Sequence, residues 1–562
     1  MTKDADLNVL KFIEKRTNEH KDKVALGMRN ESGWLEYTYQ GLGLMSRKIA
    51  AYLINDLEIK REEKVAIISE SRVEFGAAFF ASVIAGATFV PLDIKLTIHE
   101  LSSIMSNCEP SIVFVSKAYF KTALKLKEEI GSIKHIILLD NVLEDAQYKS
   151  VHSLPENSQV KFRHRSLNST CVIIYTSGTT GCPKGVQITF KNLMTQVKDL
   201  KVALNKIFGG KHQNIVALSI LPMNHLFELT VSFLTFLNFG LSVYYANPLK
   251  PREVIETMKA RKVNFMCAVP AFYKMLKIQF ENAISKKPKF VQAIFKFNYH
   301  VVAKLLPFKC VKKLVFKPFH DNLGGNFIGF ISGGAPFDPE VGKFFRRIGL
   351  DVYPGYGLSE ASPVVSVDYT KNANLKSVGF MMDSLEAKID PETQELLLRG
   401  PQVMKGYYLQ EEMTKEVIDE DGWLHTGDMA KFDKTGRLFI TGRIKNMIVL
   451  PGGKKVFPEE VEAVIETSEF IKEVCVLSTV RQSGEKKGTE EVTAVLVAKD
   501  SYYEQYDEKT VEALVLEDVK KKILRVTQYK RPTNIIVRRE ELPKTTTRKV
   551  KRREVKELIE AI

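Results

Sequence analysis

The chain has 562 residues, 44% of them hydrophobic and 27% charged, a balance that excludes a disordered or fibrous protein and leaves room for two or three packed domains. A formal net charge of +15 suits polyanionic partners, whether nucleic acid, anionic lipid or small polyanions, without choosing among them. Six cysteines at 108, 171, 182, 267, 310 and 475 show no CxxC pair and no metal-ligand spacing, which argues against structural zinc and suits a reducing cytosol.

The N-terminus, Met1-Thr2-Lys3-Asp4-Ala5-Asp6, carries acids and no apolar core of a signal peptide, so a cytoplasmic location is expected. The β-branched run at 64–69 is followed by a helix-like stretch at 73–87 and a second apolar run at 88–92. The same alternation returns at 111–115 and 135–139. Short apolar runs separated by helix-length segments predict an α/β fold with parallel strands and right-handed crossovers.

An apolar run at 171–174 then leads into Tyr175-Thr176-Ser177-Gly178-Thr179-Thr180-Gly181-Cys182-Pro183-Lys184-Gly185-Val186. Glycines let backbone approach a ligand, the hydroxyls of Thr176, Ser177, Thr179 and Thr180 offer hydrogen bonds, and Lys184 adds a positive charge. That is the chemistry of a polyphosphate cradle. A Walker A loop needs Gly-Lys-Ser/Thr, whereas here Pro183 precedes the lysine and Gly185 follows it, so an ordinary P-loop NTPase is disfavoured.

Next, Leu221-Pro222-Met223-Asn224-His225-Leu226-Phe227-Glu228 sets a histidine and an acid three apart in apolar sequence. The uncharged stretch 229–249 is long enough for a membrane span, but Asn238, Gly240 and Asn247 interrupt it, and a buried helix followed by a strand at 241–245 is the better reading. From 284 to 319 there are nine lysines and no acids, interleaved with phenylalanines and aliphatic residues. Such a segment either lies on an anionic membrane surface or forms surface helices with a solvated lysine face.

Two further strand-to-turn junctions follow, Ile331-Ser332-Gly333-Gly334-Ala335-Pro336 and Val352-Tyr353-Pro354-Gly355-Tyr356-Gly357-Leu358-Ser359-Glu360. Then come Gly400-Pro401-Gln402-Val403-Met404-Lys405-Gly406-Tyr407-Tyr408, Gly422-Trp423-Leu424-His425-Thr426-Gly427-Asp428 and Thr441-Gly442-Arg443-Ile444-Lys445-Asn446. Past Lys445 come the glycine pair Gly452-Gly453 and a predicted strand pair at 473–477 and 492–498. The chain closes on Leu542-Pro543-Lys544-Thr545-Thr546-Thr547-Arg548-Lys549-Val550.

Taken together and in this order, the motifs resemble those of the adenylate-forming superfamily, which includes acyl-CoA synthetases, aryl-CoA ligases, luciferases and peptide-synthetase adenylation domains. The likeness runs from about residue 35 to the end and is specific in combination. The His225-to-Glu228 segment and the Gly-Gly-Ala-Pro-Phe-Asp-Pro-Glu run at 333–340 look most like long-chain fatty acyl-CoA ligases. The resemblance implies a large N-terminal domain of stacked mixed and parallel sheets with helices at 1–444, carrying the acyl pocket. It also implies a small mobile C-terminal α/β domain at 445–562, with Lys445 as the pivot.

It further implies ATP, Mg²⁺ and coenzyme A as cofactors, with a fatty acid as substrate. Thr176, Ser177, Gly178, Thr179, Thr180, Gly181 and Lys184 would cradle the phosphates, and Gly333, Gly334 and Ala335 would line the adenine with Tyr356, Gly357 and Ser359. Glu360 would hold Mg²⁺, with the Thr176 hydroxyl as an additional ligand. Asp428 would accept from the ribose hydroxyls, Arg443 and Lys445 would lie in the nucleotide contacts, and His225 would sit beside the substrate. Lys549 aligns with the catalytic lysine. The usual glycine before it is Arg548 here, which leaves Lys544 and Arg548 as lesser candidates for the same charge. The implied reaction activates a carboxylate as acyl-AMP and passes the acyl group to coenzyme A.

Alternatives are an acyl-AMP ligase loading an acyl carrier protein, a ligase for aryl or shorter acids, and an inactive nucleotide-binding regulatory protein. The last is disfavoured because Lys184, Glu360, Asp428, Arg443 and Lys549 are all present. Nucleic acid is not expected as a partner, since no helix-turn-helix, zinc or RNA-binding motif supports it.

Overall fold

The computed structural model describes residues 9–31, 33–141, 147–156, 159–176, 184–210, 214–247, 250–305, 308–450, 454–481, 490–544 and 550–560. The chain packs as two compact units, Met1–Glu386 with Leu398–Leu424, and Ala387–Leu397 with His425–Ile562.

In the first unit the β-branched runs become short strands, Lys64–Ile68, Thr88–Leu92, Ile112–Val115 and His135–Leu138, paired in parallel. Their continuous apolar character follows from burial on both faces, since residues 65–68, 88–92 and 112–115 are all buried. On one side this sheet continues through Thr170–Thr176, which turns back antiparallel as Lys184–Thr189 and is edged by Gly406–Tyr407. Among the described residues it has eight strands.

A second sheet, nine strands among the described residues, has at its heart the parallel neighbours Val216–Ser219, Phe265–Ala268, Gly329–Ser332 and Asp351–Tyr356. Helix Val73–Ile84 lies between the two sheets and is buried along its whole length. Phe75 and Phe79 meet Phe89 of the first sheet edge-on at 5.7 and 5.4 Å, while Phe80 lies 5.1 Å from Phe233. A helix with no polar stripe is what a layer covered on both faces requires. The α/β class expected from the alternating runs is the one found.

The uncharged stretch 229–249 folds as expected, as wide-turned helix Glu228–Thr235, helix Phe236–Asn238 and strand Ser242–Tyr245. No described helix is long and apolar enough to cross a membrane.

In the second unit, strands Ile471–Val480 and Glu490–Ala498 pair antiparallel, and Asn534–Arg538 joins in parallel. Alternation decides the two faces: Val474 and Val476 pack with helices Pro458–Ile465 and Glu508–Ile523, whereas Cys475 and Leu477 pack with Val555 of helix Arg552–Glu560. Residues 387–389, 395–397, 425–432 and 438–443 contribute to a four-stranded sheet. These strands precede residue 445 in the chain and belong to the same compact unit as the C-terminal elements.

Candidate active site

Four adjacent parallel strands of the nine-stranded sheet end on one edge, so the segments that leave them emerge side by side. Those segments are 220–228, 269–270, 333–335 and 356–360. The carboxyl edge of an open α/β sheet is where ligands bind, because the chain must leave the sheet there and exposes backbone groups as it does.

Gly334 adopts φ +84°, a left-handed turn that a side chain strains. Gly357 has a different need: a Cβ there would lie 1.8 Å from the carbonyl oxygen of Pro363, so any larger residue would displace the 356–360 loop. A Cβ built on Gly333 would lie 3.7 Å from the Phe227 ring, which puts the His225 segment against the glycine turn. Ser71 holds that segment, its hydroxyl accepting from Met223 N at 3.0 Å and donating to the Leu221 carbonyl at 3.2 Å. His225 and Tyr356 are half-buried.

Glu228 is fully buried, accepts from the hydroxyls of Ser219 and, at 2.9 Å, Ser232, and is pushed up to about 8 by that burial against the two donors. It is therefore an internal tie between the end of a strand and the following helix.

Ser177, Gly178, Thr179, Thr180 and Gly181, expected from the sequence to cradle phosphates, lie outside the described residues, but the strands on either side of them are held together. Thr176 pairs directly with Lys184 across the hairpin, and Tyr175 with Gly185. Strand Gly406–Tyr407 then adds to the open side, with Lys405 N donating to the Gln187 carbonyl at 3.0 Å and Tyr408 N to the Gly185 carbonyl at 2.7 Å.

This added strand carries the residue that joins the site. The Lys184 ammonium lies 5.1 Å from the centroid of the Tyr407 ring, and the Tyr407 hydroxyl donates to Glu360 Oε1 at 3.0 Å. Met404 N also donates to the Glu360 carbonyl, at 2.8 Å. Burial and the adjoining Glu360 carboxylate hold the Tyr407 phenol well above its ordinary range, so it stays a donor. Lys184, Tyr407, Glu360 and, through the hairpin, Thr176 thus share one corner. Sequence reading missed Tyr407; the only signal was its place in Gly406-Tyr407-Tyr408.

Glu360 and Thr176 offer hard oxygen donors, the type Mg²⁺ selects. Among the described residues no group of three or more His, Cys, Asp or Glu is placed to hold a metal.

In the second unit, the antiparallel strands Leu424–Phe432 and Leu438–Arg443 set Asp428 opposite Arg443. The Arg443 Nε lies 2.7 Å from Asp428 Oδ1, with the carboxylate buried at 2% exposure and the guanidinium reaching out at 42%. Glu395 braces the turn before Asp428, accepting from Gly427 N at 2.7 Å and lying 3.0 Å from His425 Nδ1. Lys445 sits in the short turn Ile444–Asn446, anchored where Asn446 donates to Glu459 at 2.7 Å.

Lys549 and Arg548 lie outside the described residues, as do Gly452 and Gly453. The two ends of the 545–549 loop are nonetheless joined: Lys544 bridges Val550, and Lys551 N donates to the Pro543 carbonyl at 2.8 Å. Lys544 is engaged by Glu473 and, at 3.1 Å, by Glu541, which counts against it as an alternative source of catalytic charge. A second residue that sequence reading passed over, Arg552, binds Glu462 and the Val476 carbonyl just behind this loop.

The AMP-binding enzyme family matches residues 13–408. A chloroplastic long-chain-fatty-acid–[acyl-carrier-protein] ligase of Arabidopsis thaliana is 28% identical, with 90% of this chain and 78% of that protein covered. A long-chain-fatty-acid–CoA ligase of Xenopus laevis is 27% identical, with 86% and 68% covered. Among solved structures, an anthranilate CoA ligase in complex with anthranoyl-AMP shares the fold at a TM-score of 0.78 and 19% identity, covering 99% of this chain and 98% of that one. A fatty acyl CoA synthetase of Mycobacterium tuberculosis does so at 0.67 and 21%, covering 99% of each.

Proposed function

The chain belongs to the AMP-binding enzymes and is an adenylate-forming acyl ligase; from that premise we propose that it activates a long-chain fatty acid as acyl-AMP and transfers the acyl group to coenzyme A. A carboxylate oxygen attacks the α-phosphorus of ATP, forming a P–O bond while the bond to pyrophosphate breaks. The thiol then attacks the acyl carbon, and AMP leaves with the bonding pair. Neither step needs a covalent enzyme nucleophile, so none of the six cysteines needs a catalytic role.

What such chemistry needs is alignment and charge neutralisation. Lys184 and the loop it closes would neutralise the phosphates, with Thr176 to Gly181 as hydrogen-bond donors. Gly333, Gly334, Ala335, Tyr356, Gly357 and Ser359 would hold the adenine, and Asp428, Arg443 and Lys445 the ribose side. Glu360, with Thr176, would hold Mg²⁺, which lowers the charge repelling the attacking carboxylate. Lys549 would act on the developing charge, and His225 would border the acyl group. The mobile-domain reading at 445–562, with Lys445 as pivot, belongs to the same proposal, as does a cytoplasmic enzyme that works peripherally at an anionic membrane.

The observation that carries this reading is the corner in which Tyr407 joins Lys184 to Glu360, a lysine and a carboxylate 176 positions apart in sequence. The long-chain acid and the coenzyme A acceptor are supported by the names of the relatives, one of which instead loads a carrier protein.

Product analysis tests both points. The purified protein is supplied with ATP, Mg²⁺ and a panel of acids from short to long chain plus aryl acids, then with coenzyme A or holo-acyl carrier protein. Acyl-CoA from long-chain acids is the expected product. Thioester on the carrier protein alone would replace coenzyme A as acceptor, and turnover confined to short or aryl acids would overturn the fatty acid assignment.

A further inference from the structure

The basic segment after residue 284 packs inward and outward at the same time. Its inner aromatic side joins the core of the first unit: Phe295 meets Phe280 at 5.4 Å and Phe316 at 5.9 Å, and Phe319 meets Phe280 at 4.6 Å. That accounts for why helices Lys289–Phe297 and Lys309–Val315 are held on the surface.

It does not account for the other side. Phe290, Phe297, Leu305, Phe308 and Leu314 are 60–74% exposed, within a stretch of 25 residues. Ile294 and Val301 are also exposed, so apolar residues at 290, 294, 297, 301 and 305 recur at near-helical spacing away from the core. Single exposed apolar side chains are ordinary, but five large ones within 25 residues are not.

The charge within the segment's own sequence has one sign. Residues 284–319 hold nine lysines and no acid. Lys309 and Lys317 reach acids outside that range, Asp351 and Asp321, each at 2.6 Å. Lys286, Lys287, Lys289, Lys296 and Lys304 are exposed. Lys312 is held below its ordinary range by burial and by the like charge of Lys309, a strain that a nearby anion would relieve.

We propose that the outward face of residues 289–305 and 308–314 docks the enzyme on an anionic lipid bilayer, with the exposed phenylalanines and leucines entering the interface and the lysines meeting the headgroups. The charge pattern selects this occupant. A second copy of the chain, related by a two-fold axis, would bring the same lysines face to face. An acidic protein would satisfy the lysines but would also have to cover five large apolar side chains, whereas a bilayer supplies both chemistries at one boundary. The inference does not rest on the proposed reaction, and it is tested without ATP or an acyl substrate.

The full-length protein is sedimented with vesicles of phosphatidylcholine, alone or with roughly 30% phosphatidylserine. Binding at least about tenfold tighter to the anionic vesicles, weakened by added salt, is expected. Phe297→Asp combined with Leu305→Asp should lower it about tenfold or more, and Lys296→Glu with Lys304→Glu should remove the preference for phosphatidylserine, with melting temperatures unchanged because these positions are exposed. Absence of binding to anionic vesicles, or unaltered binding by both double variants, overturns the proposal. So does a dimer in light scattering that Phe297→Asp dissolves, or an acyl carrier protein that binds the native chain and not the lysine reversals while vesicles stay unbound.

Discussion

Tyr407 touches two groups whose charges would otherwise be loosely held. Its ring lies beside the Lys184 ammonium, and its hydroxyl fixes one oxygen of Glu360. A residue that orients a metal-binding carboxylate typically changes metal affinity by about 10–100-fold when lost. Tyr407→Phe keeps the ring and removes the donor. The Mg²⁺ concentration for half-maximal adenylation should therefore rise about tenfold, while the melting temperature moves little; an unchanged Mg²⁺ requirement would separate Tyr407 from the site. No local pattern in the sequence exposes this role. It arises from a strand added to the edge of a hairpin more than 200 positions earlier, and such register is not written in any single segment. The Asp428–Arg443 pair is easier to anticipate, because one hairpin sets the two opposite each other.

At the scale of elements, the wide-turned helix Glu228–Thr235 is fastened at its first residue. The Glu228 carboxyl is buried with two serine hydroxyls for company, and burial raises it to about 8 from an ordinary 4.5. In the folded protein it keeps its proton up to about 8, whereas in the unfolded chain it ionises near 4.5. The stability it contributes is thus complete below pH 4.5 and is lost as pH rises through 8, with a slope on the order of 1 kcal/mol per pH unit. Glu228→Gln should flatten this dependence. Denaturation midpoints measured from pH 5 to 8 should fall for the native chain and less for the variant; parallel curves would show that Glu228 is ionised in the fold.

Elements of this kind were readable to different degrees. The parallel strands at 64–68, 88–92 and 112–115 were legible because burial on both faces leaves an unbroken apolar run. The helix after Glu228 was legible as apolar, but not its widened turns or its buried acid, which depend on serines from a strand and from the helix itself.

For the molecule as a whole, the described residues proposed to meet the nucleotide fall in both compact units: Lys184, Tyr356 and Glu360 belong to the first, Asp428, Arg443 and Lys445 to the second. The order of motifs could be read along the chain, whereas the grouping of residues 387–397 and 425–444 with the C-terminal elements in one compact unit could not, because it rests on tertiary contacts such as that of strand Leu438–Arg443 with helix Pro458–Ile465. If Lys445 is the pivot of a two-conformation cycle, Lys445→Pro should slow thiol transfer about tenfold or more beyond any loss in adenylation, as separate single-turnover measurements of acyl-AMP and thioester would record. Equal loss in both steps would remove the hinge from the account.

On the proposed mechanism this chain joins a fatty acid to AMP through Lys184, Glu360 and Lys549, and fatty-acid-dependent exchange of pyrophosphate into ATP, run without any thiol, isolates that step. Exchange with long-chain acids is expected, falling about 10²–10³-fold in Lys549→Ala and in Glu360→Gln, each removing a charge used in the transition state. Exchange that persists near the native rate in both variants, or none with any carboxylic acid, would contradict it.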